Sequence, residues 1–464
     1  MRKKIVLAML FVLLLQTSVF AGVSTAPYVT GEMQEARYWI SRTENTGEVL
    51  MTPEQIATLN QRIIETPAAN TYDLAREPET VDGIALAREL SSFEITGTYY
   101  IGETRLTSKY FDEVRKNIKN PKVERTQAVQ YGLCTARADL KGLPVAHILS
   151  DAPDDLEYDD FQTSRILVNE PVLICSTTKD HQWYWVKTSQ CTGWVEAGKI
   201  AVCPTREQWL EAQNPGKFLV VTGEKIRLEA SRVNPALSEL SLSMGTVLPL
   251  AGEGEIPEFI DDRYTWNNYV VKIPVRNLDG SCEFKPALIP KNRDVSVGYL
   301  PLTYENLLKQ MFEMLGNRYG WGSMLEAQDC SSYVMDVYSC FGFRLPRNTT
   351  WQREIPVSKV DISTFNGESK GSVLDNLMPG DLLQFPGHVM MYLGKVDGRY
   401  YVISATGSLV IPYENNSSSP VTRIRSVIIN DLSIKRASGL TWLESISHVL
   451  VVTRQMEEAD FLAR

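Results

Sequence analysis

Four stretches that differ in the spacing of their apolar positions follow one another along the 464-residue chain. From 22 to 126 the pattern is helical and turn-rich. Thr52-Pro53-Glu54-Gln55 supplies an N-cap, a proline at the first helical position and a glutamine three residues after the cap. Ile56, Leu59 and Ile63 then follow at helical spacing. From 127 to 205 the runs shorten: Val172-Leu173-Ile174, Trp183-Tyr184-Trp185-Val186 and Gly193-Trp194-Val195, broken by turn residues, predict a small barrel. Past the turn Asn214-Pro215-Gly216, a second such region from 217 to 300 offers Phe218–Thr222, Thr246–Leu250 and Tyr269–Val275 as strands. From 301 to 464 both periods occur. A helix capped by Thr303 carries Leu307, Leu308, Met311 and Leu315, another carries Val334, Val337, Tyr338 and Phe341 up to Gly342, and His388 to Gly394 reads as a strand. The expected fold class is multidomain α+β: a helical N-terminal domain, two small β-barrels and a C-terminal α+β domain.

The first residues bear on the compartment. Arg2, Lys3 and Lys4 precede an apolar run from Ile5 to Leu15, and Val19-Phe20-Ala21 offers small residues before a cut at Gly22. This is the pattern of a secretory signal peptide over 1–21. The run is shorter than the roughly 20 residues of a membrane span, and nothing later is apolar enough, so no span is expected after cleavage. The protein is therefore expected to be exported, periplasmic or secreted. Formal net charge is −9, and −12 without the three basic residues of the signal (44 basic, 56 acidic). That balance argues against nucleic acid and anionic membrane as partners.

Seven cysteines is an odd number for an exported chain, so at least one thiol stays outside any intramolecular bridge. Cys330 is the natural candidate. If 330–341 is one helix, Cys340 stands about 15 Å from it, beyond the ~7 Å reach of a disulfide. Cys175, Cys191 and Cys203 could supply one bridge, with the pairing open.

Cys330 sits in Asp329-Cys330-Ser331-Ser332 at the start of its helix, and Pro386-Gly387-His388 opens a strand. A thiol at a helix start and an imidazole at a strand start are two parts of a papain-like nucleophile site. The helix N-terminus and a nearby imidazolium would both favour the reactive thiolate. Of the other histidines, His147 and His181 lie outside this region, and His448, which opens Val449-Leu450-Val451-Val452, is the rival base. The strand returning through Tyr400 to Ala405 places Ser404 on the face that meets His388, as a third group weaker than a carboxylate. No metal-ligand spacing and no phosphate-cradling loop stands out, so neither metal nor cofactor is expected.

Tyr319-Gly320-Trp321-Gly322, Asp329-Cys330-Ser331-Ser332, Leu345-Pro346-Arg347, Gln352, Pro379-Gly380-Asp381-Leu382 and Gly387-His388-Val389 follow one another in an order that resembles the NlpC/P60 cysteine peptidases over about 303–455. The first barrel resembles bacterial SH3-type domains, the second more faintly, and Tyr38-Trp39-Ile40-Ser41-Arg42 through Ile56 is similar to the stabilising domain of one exported branch. The resemblance implies a papain-like catalytic domain that hydrolyses peptidoglycan stem peptides between γ-D-glutamate and a diamino acid. It implies Cys330 as nucleophile, His388 as base and Ser404 at the third position, where the family most often has histidine. It further implies that Asp329 and Ser331 engage the free amine of an N-terminal L-alanine, that Tyr319 and Trp321 line the groove, and that the protein is cell-wall associated. A first barrel capping the groove would favour cut muropeptides over intact wall. A wall-binding module without turnover and an amide or acyl transferase on the same scaffold stay open as alternatives.

Overall fold

A computed structural model describes residues 24–119, 124–411, 420–457 and 460–461; the expected signal peptide lies outside them. Among these residues no helix is long and apolar enough to cross a membrane.

The N-terminal stretch is shared between two cores. Helices α1 (Ala36–Ile40) and α2 (Pro53–Ile64) come first. The cap of α2 forms as its sequence predicts: Gln55 N–H donates to Thr52 Oγ1 at 3.4 Å, and Thr52 N–H donates to Gln55 Oε1 at 2.8 Å. Trp39, Ile56, Leu59 and Ile63 are buried in one apolar cluster with Tyr333, Val334, Phe341 and Tyr401 of the C-terminal region. Helices α3 (Gly83–Ser91) and α4 (Ser108–Ile118) go elsewhere: Phe111, Val114 and Ile118 of α4 pack with Leu149, Trp183 and Trp194 of the first β region.

That region is a seven-stranded antiparallel sheet of β1 (Gln130–Cys134), β2 (Ala138–Lys141), β3 (Gln162–Ile166), β4 (Pro171–Thr177), β5 (Trp183–Lys187), β6 (Thr192–Glu196) and β7 (Ile200–Val202), in spatial order β7-β1-β4-β5-β6-β2-β3. Ile166, Val172, Ile174, Val186, Val195 and Ile200 fill its interior. The long connection from β2 to β3 reaches toward the C-terminal domain. The second β region contains β8 (Phe218–Val221), which pairs with both β9 (Val247–Pro249) and β12 (Val295–Val297), and a long hairpin of β10 (Asn268–Arg276) and β11 (Cys282–Pro290). Leu219, Leu248, Val271 and Ile273 form its core.

In the C-terminal domain, α5 (Tyr304–Phe312), α6 (Cys330–Ser339) and the short α7 (Thr349–Arg353) precede a six-stranded antiparallel sheet. Its strands are β13 (Ser358–Asp361), β14 (Leu382–Phe385), β15 (His388–Val396), β16 (Arg399–Val410), β17 (Val421–Asp431) and β18 (His448–Val451), in order β13-β18-β14-β15-β16-β17. Alternation divides the strands between two faces. Val389, Met391, Leu393 and Ile403 meet α6, whereas Met390, Tyr392 and Val402 pack under α8 (Gly367–Leu374) with Trp442 and Phe461.

The first sheet docks against α6 through polar groups that are themselves buried. Arg165 pairs with Asp336, Arg347 Nε donates to Ser164 Oγ at 2.9 Å, and Gln162 Nε2 donates to Gly322 O at 3.2 Å. Gly322 is required there. Its φ is +58°, and a Cβ would lie 2.6 Å from Gln162 O. Gly322→Ala is expected to cost about 1–3 kcal/mol from strain and displaced packing, read as a lower midpoint in urea unfolding.

Candidate active site

The start of α6 is fixed by a reciprocal cap. Ser332 N–H donates to Asp329 Oδ1 at 2.9 Å, and Asp329 N–H donates to Ser332 Oγ at 2.9 Å. Ser332 is helical and its hydroxyl completes the cap, so the serine at this position suits the local structure. Cys330 is the first residue of the helix, and its backbone N–H has no acceptor within the helix.

The thiol itself is buried, with Thr349 Oγ1 3.8 Å from Sγ. Burial pushes it up to about 11 and the Asp329 carboxylate adds to this, while the Val389 N–H, the Thr349 hydroxyl and Arg347 pull the other way. The sequence led us to expect a helix terminus that favours the thiolate. Here desolvation of the anion outweighs the helix terminus.

His388 opens β15, next to the residue whose N–H points at the sulfur. Its Nε2 is 3.1 Å from Ser404 Oγ, and Ser404 Oγ is 3.0 Å from Thr406 Oγ1. The ring packs against Phe385 and Trp442, with centroids 5.2 and 5.0 Å away. Burial pulls the imidazole down to about 3, helped by Arg436 and opposed by Asp329. Cys330 and His388 are therefore both neutral around pH 7. The rival His448 faces other groups, with Nδ1 2.9 Å from Ser447 Oγ and Nε2 3.8 Å from Asp361. His147 and His181 are exposed on the first β region.

Asp329 and Ser331 are already engaged. Arg347 Nη2 donates to Asp329 Oδ2 at 2.7 Å, and Nη1 donates to Oδ1 at 3.2 Å and to Ser331 Oγ at 3.0 Å. Ser331 Oγ in turn donates to Asp329 Oδ1 at 3.1 Å. Burial alone would raise the Asp329 carboxyl, but Arg347 and the cap hydrogen bonds bring it below its ordinary value. Oδ1 accepts three bonds and Oδ2 one.

Tyr319 lies in the same neighbourhood. Burial raises its phenol, and Asp329 beside it, together with Cys330 and Tyr158 once ionised, raises it further. Trp321 is 43% exposed and its ring centroid is 5.7 Å from that of Tyr158. Tyr158 belongs to the β2–β3 connection of the first sheet, and its hydroxyl lies over Gly407, where a Cβ would be 2.9 Å away. The wall beside the thiol is thus built by two domains. Thr406, Trp442 and Tyr158 escaped the sequence reading. Thr406 carries a usable signal, since it is two residues beyond Ser404 on the same strand face; Tyr158 in its loop carries none of its own. Among the described residues no group of three or more His, Cys, Asp or Glu side chains converges as a metal site would require.

A profile described as "NlpC/P60 family" matches residues 316–420, and one described as "SH3 domain (SH3b1 type)" matches residues 149–196. Among solved structures, an NlpC/P60 endopeptidase from Photobacterium damselae subsp. piscicida aligns over 94% of this chain and 99% of its own, with TM-score 0.73 and 16% identity. NlpC2 from Trichomonas vaginalis aligns over 67% of this chain and 97% of its own, with TM-score 0.23 and 12% identity. A search of curated proteins found no match. The chain carries, at its C-terminal end, a domain of the NlpC/P60 family of cysteine peptidases, preceded by an SH3 domain of the SH3b1 type.

Proposed function

We propose that the protein is an exported peptidase that hydrolyses the γ-D-glutamyl–diamino acid bond of peptidoglycan stem peptides. The reading rests on one observation: Cys330 opens α6 directly against the start of β15, where His388 is held through Nε2 by Ser404. Ser404 accepts from Nε2–H, which leaves Nδ1 as the basic nitrogen. Thr406 Oγ1, 3.0 Å away, can take the Ser404 hydroxyl proton in that arrangement. As the thiol attacks the amide carbonyl, its proton passes to His388, and the backbone N–H of Cys330 steadies the oxygen that gains charge. His388 then protonates the departing amine, and water hydrolyses the thioester. On this reading the second β region is a further SH3-type domain, and residues 22–126 brace both neighbours.

Selection of a free L-alanine amine falls to Asp329 Oδ2, which takes a single bond from Arg347 and keeps a lone pair for an ammonium. The Tyr158–Trp321 wall closes the groove at that end, which favours cut muropeptides over stems still joined to glycan. Tyr158→Ala should therefore raise cleavage of N-acetylated relative to free peptide about tenfold, measured by competition between the two; an unchanged ratio would remove Tyr158 from selection.

The direct test is incubation of the purified mature chain with L-Ala-γ-D-Glu-diaminopimelate. Release of L-Ala-D-Glu supports the peptidase, whereas uncut but bound peptide would leave a muropeptide-binding protein. Transfer to an added amine would indicate a transferase.

The neutral resting pair sets the pH dependence. With the imidazole titrating near 3 and the thiol near 11, kcat/KM should vary little between about pH 5 and 9. A pair stored as thiolate and imidazolium would instead give limbs inside that range. Stability follows the same group. The unfolded imidazole takes a proton below its ordinary pKa of about 6.5, while the folded one stays neutral to about 3. The contribution of His388 is complete above pH 6.5 and is lost as pH falls toward 3, since acid favours the unfolded chain there. Unfolding titrations at pH 7 and pH 4 read this directly.

A further inference from the structure

Among the described residues, the two β regions meet at a backbone bridge. Val202, the last residue of β7, bridges Ser281 in parallel, and Val202 N–H donates to Gly280 O at 2.9 Å. The next residue on each segment is a cysteine, Cys203 on one and Cys282 on the other. Residues in register on parallel neighbours stand about 4.8 Å apart and point the same way. That falls within the Cα separation of about 4.4–6.8 Å that a disulfide spans. Both cysteines are buried in one cluster with Leu133, Leu173 and Trp209.

The remaining cysteines are otherwise occupied. Cys134 donates to Ala136 O at 2.9 Å, Cys191 lies 3.7 Å from Thr188 Oγ1, and Cys340 donates to Val221 O at 3.8 Å. Cys330 faces Thr349. Cys175 shares the cluster with the pair, but its thiol donates to Leu173 O at 3.7 Å and has Lys187 and Glu77 as its charged neighbours.

We propose that Cys203 and Cys282 form a disulfide that clasps the second β region to the first. The oxidant is another disulfide, of the class of oxidised glutathione. One of the two cysteines, here Cys282, attacks one sulfur of the oxidant as the thiolate and expels the other as a thiolate. Cys203 then loses its proton and attacks the mixed disulfide. The protein gains one S–S bond and loses two protons and two electrons; the oxidant's S–S bond is reduced to two thiols. The closed loop runs from 203 to 282 and contains β8, β9 and β10, so closure limits the freedom of a long unfolded segment. The clasp leaves Cys330 reduced, since no second cysteine stands beside it. It also steadies the sheet that contributes Tyr158 to the groove.

The test uses the full mature chain, equilibrated with oxidised glutathione, unfolded in the presence of an alkylating agent and digested for mass analysis. The expected result is one linked pair of peptides carrying Cys203 and Cys282, with five of the seven cysteines alkylated. Cys203→Ser and Cys282→Ser should each lose that pair. The wild-type melting midpoint should fall by several degrees on reduction, while neither variant's midpoint moves. Seven alkylated cysteines after oxidation, or a Cys175–Cys203 linkage, would overturn the proposal.

Discussion

Cys330→Ala is expected to leave a folded protein that binds stem peptide and turns it over about 10⁴-fold more slowly or worse. Loss of a nucleophile that acts as a unit with its base removes nearly all of what the unit contributes. Folding should survive, because alanine suits the first turn of a helix and the cap is made by Asp329 and Ser332. His388→Ala should fall by a similar factor, and the double variant should be hardly slower than either single one. Steady-state rates on one soluble peptide, with circular dichroism as a folding check, decide this. A double variant slower than both by the product of their effects would mean that the two side chains act independently.

Arg347→Met should have the largest effect on stability, about 3–5 kcal/mol, because it strands a buried carboxylate. Arg347 makes two bonds to Asp329 and one each to Ser331, Ser323 and Ser164 of the first sheet, so its loss touches the helix cap and the domain contact together. Urea unfolding measures the cost. Adding Asp329→Asn should recover part of it, since the stranded charge is then gone while an N-cap remains. Equal destabilisation with and without that second change would show that the carboxylate is protonated or hydrated once Arg347 is lost. Arg347→Lys should fall between, keeping the charge without the two-pronged geometry.

These expectations depend on features that were legible to different degrees. The helix of Cys330 and the strand of His388 were readable because each has a period, a start signal and a stop. The approach of Ser404 to His388 followed from strand alternation, and the contact at 3.1 Å agrees with it. What the sequence could not show is how groups far apart in the chain compete for one carboxylate. Asp329 reads as an open anion beside Cys330, whereas in the fold Arg347 already bonds both its oxygens. Nor could the direction of the thiol's shift be read, since burial is a property of the surroundings and not of a local motif. The first stretch was legible as helices, but the sharing of its apolar faces between two cores is a matter of long-range packing.

That sharing has a consequence in time. Met51 bridges Leu302, the Tyr401 hydroxyl donates to Tyr28 O at 2.8 Å, and Trp39 lies 5.6 Å from the Tyr401 ring. Helices α1 and α2 are therefore buried by partners far downstream in the chain. At about 5–20 residues per second, the apolar faces of α1 and α2 wait on the order of tens of seconds for the strand that covers them. Helices α1 and α2 therefore find their burial only once β16 has been made.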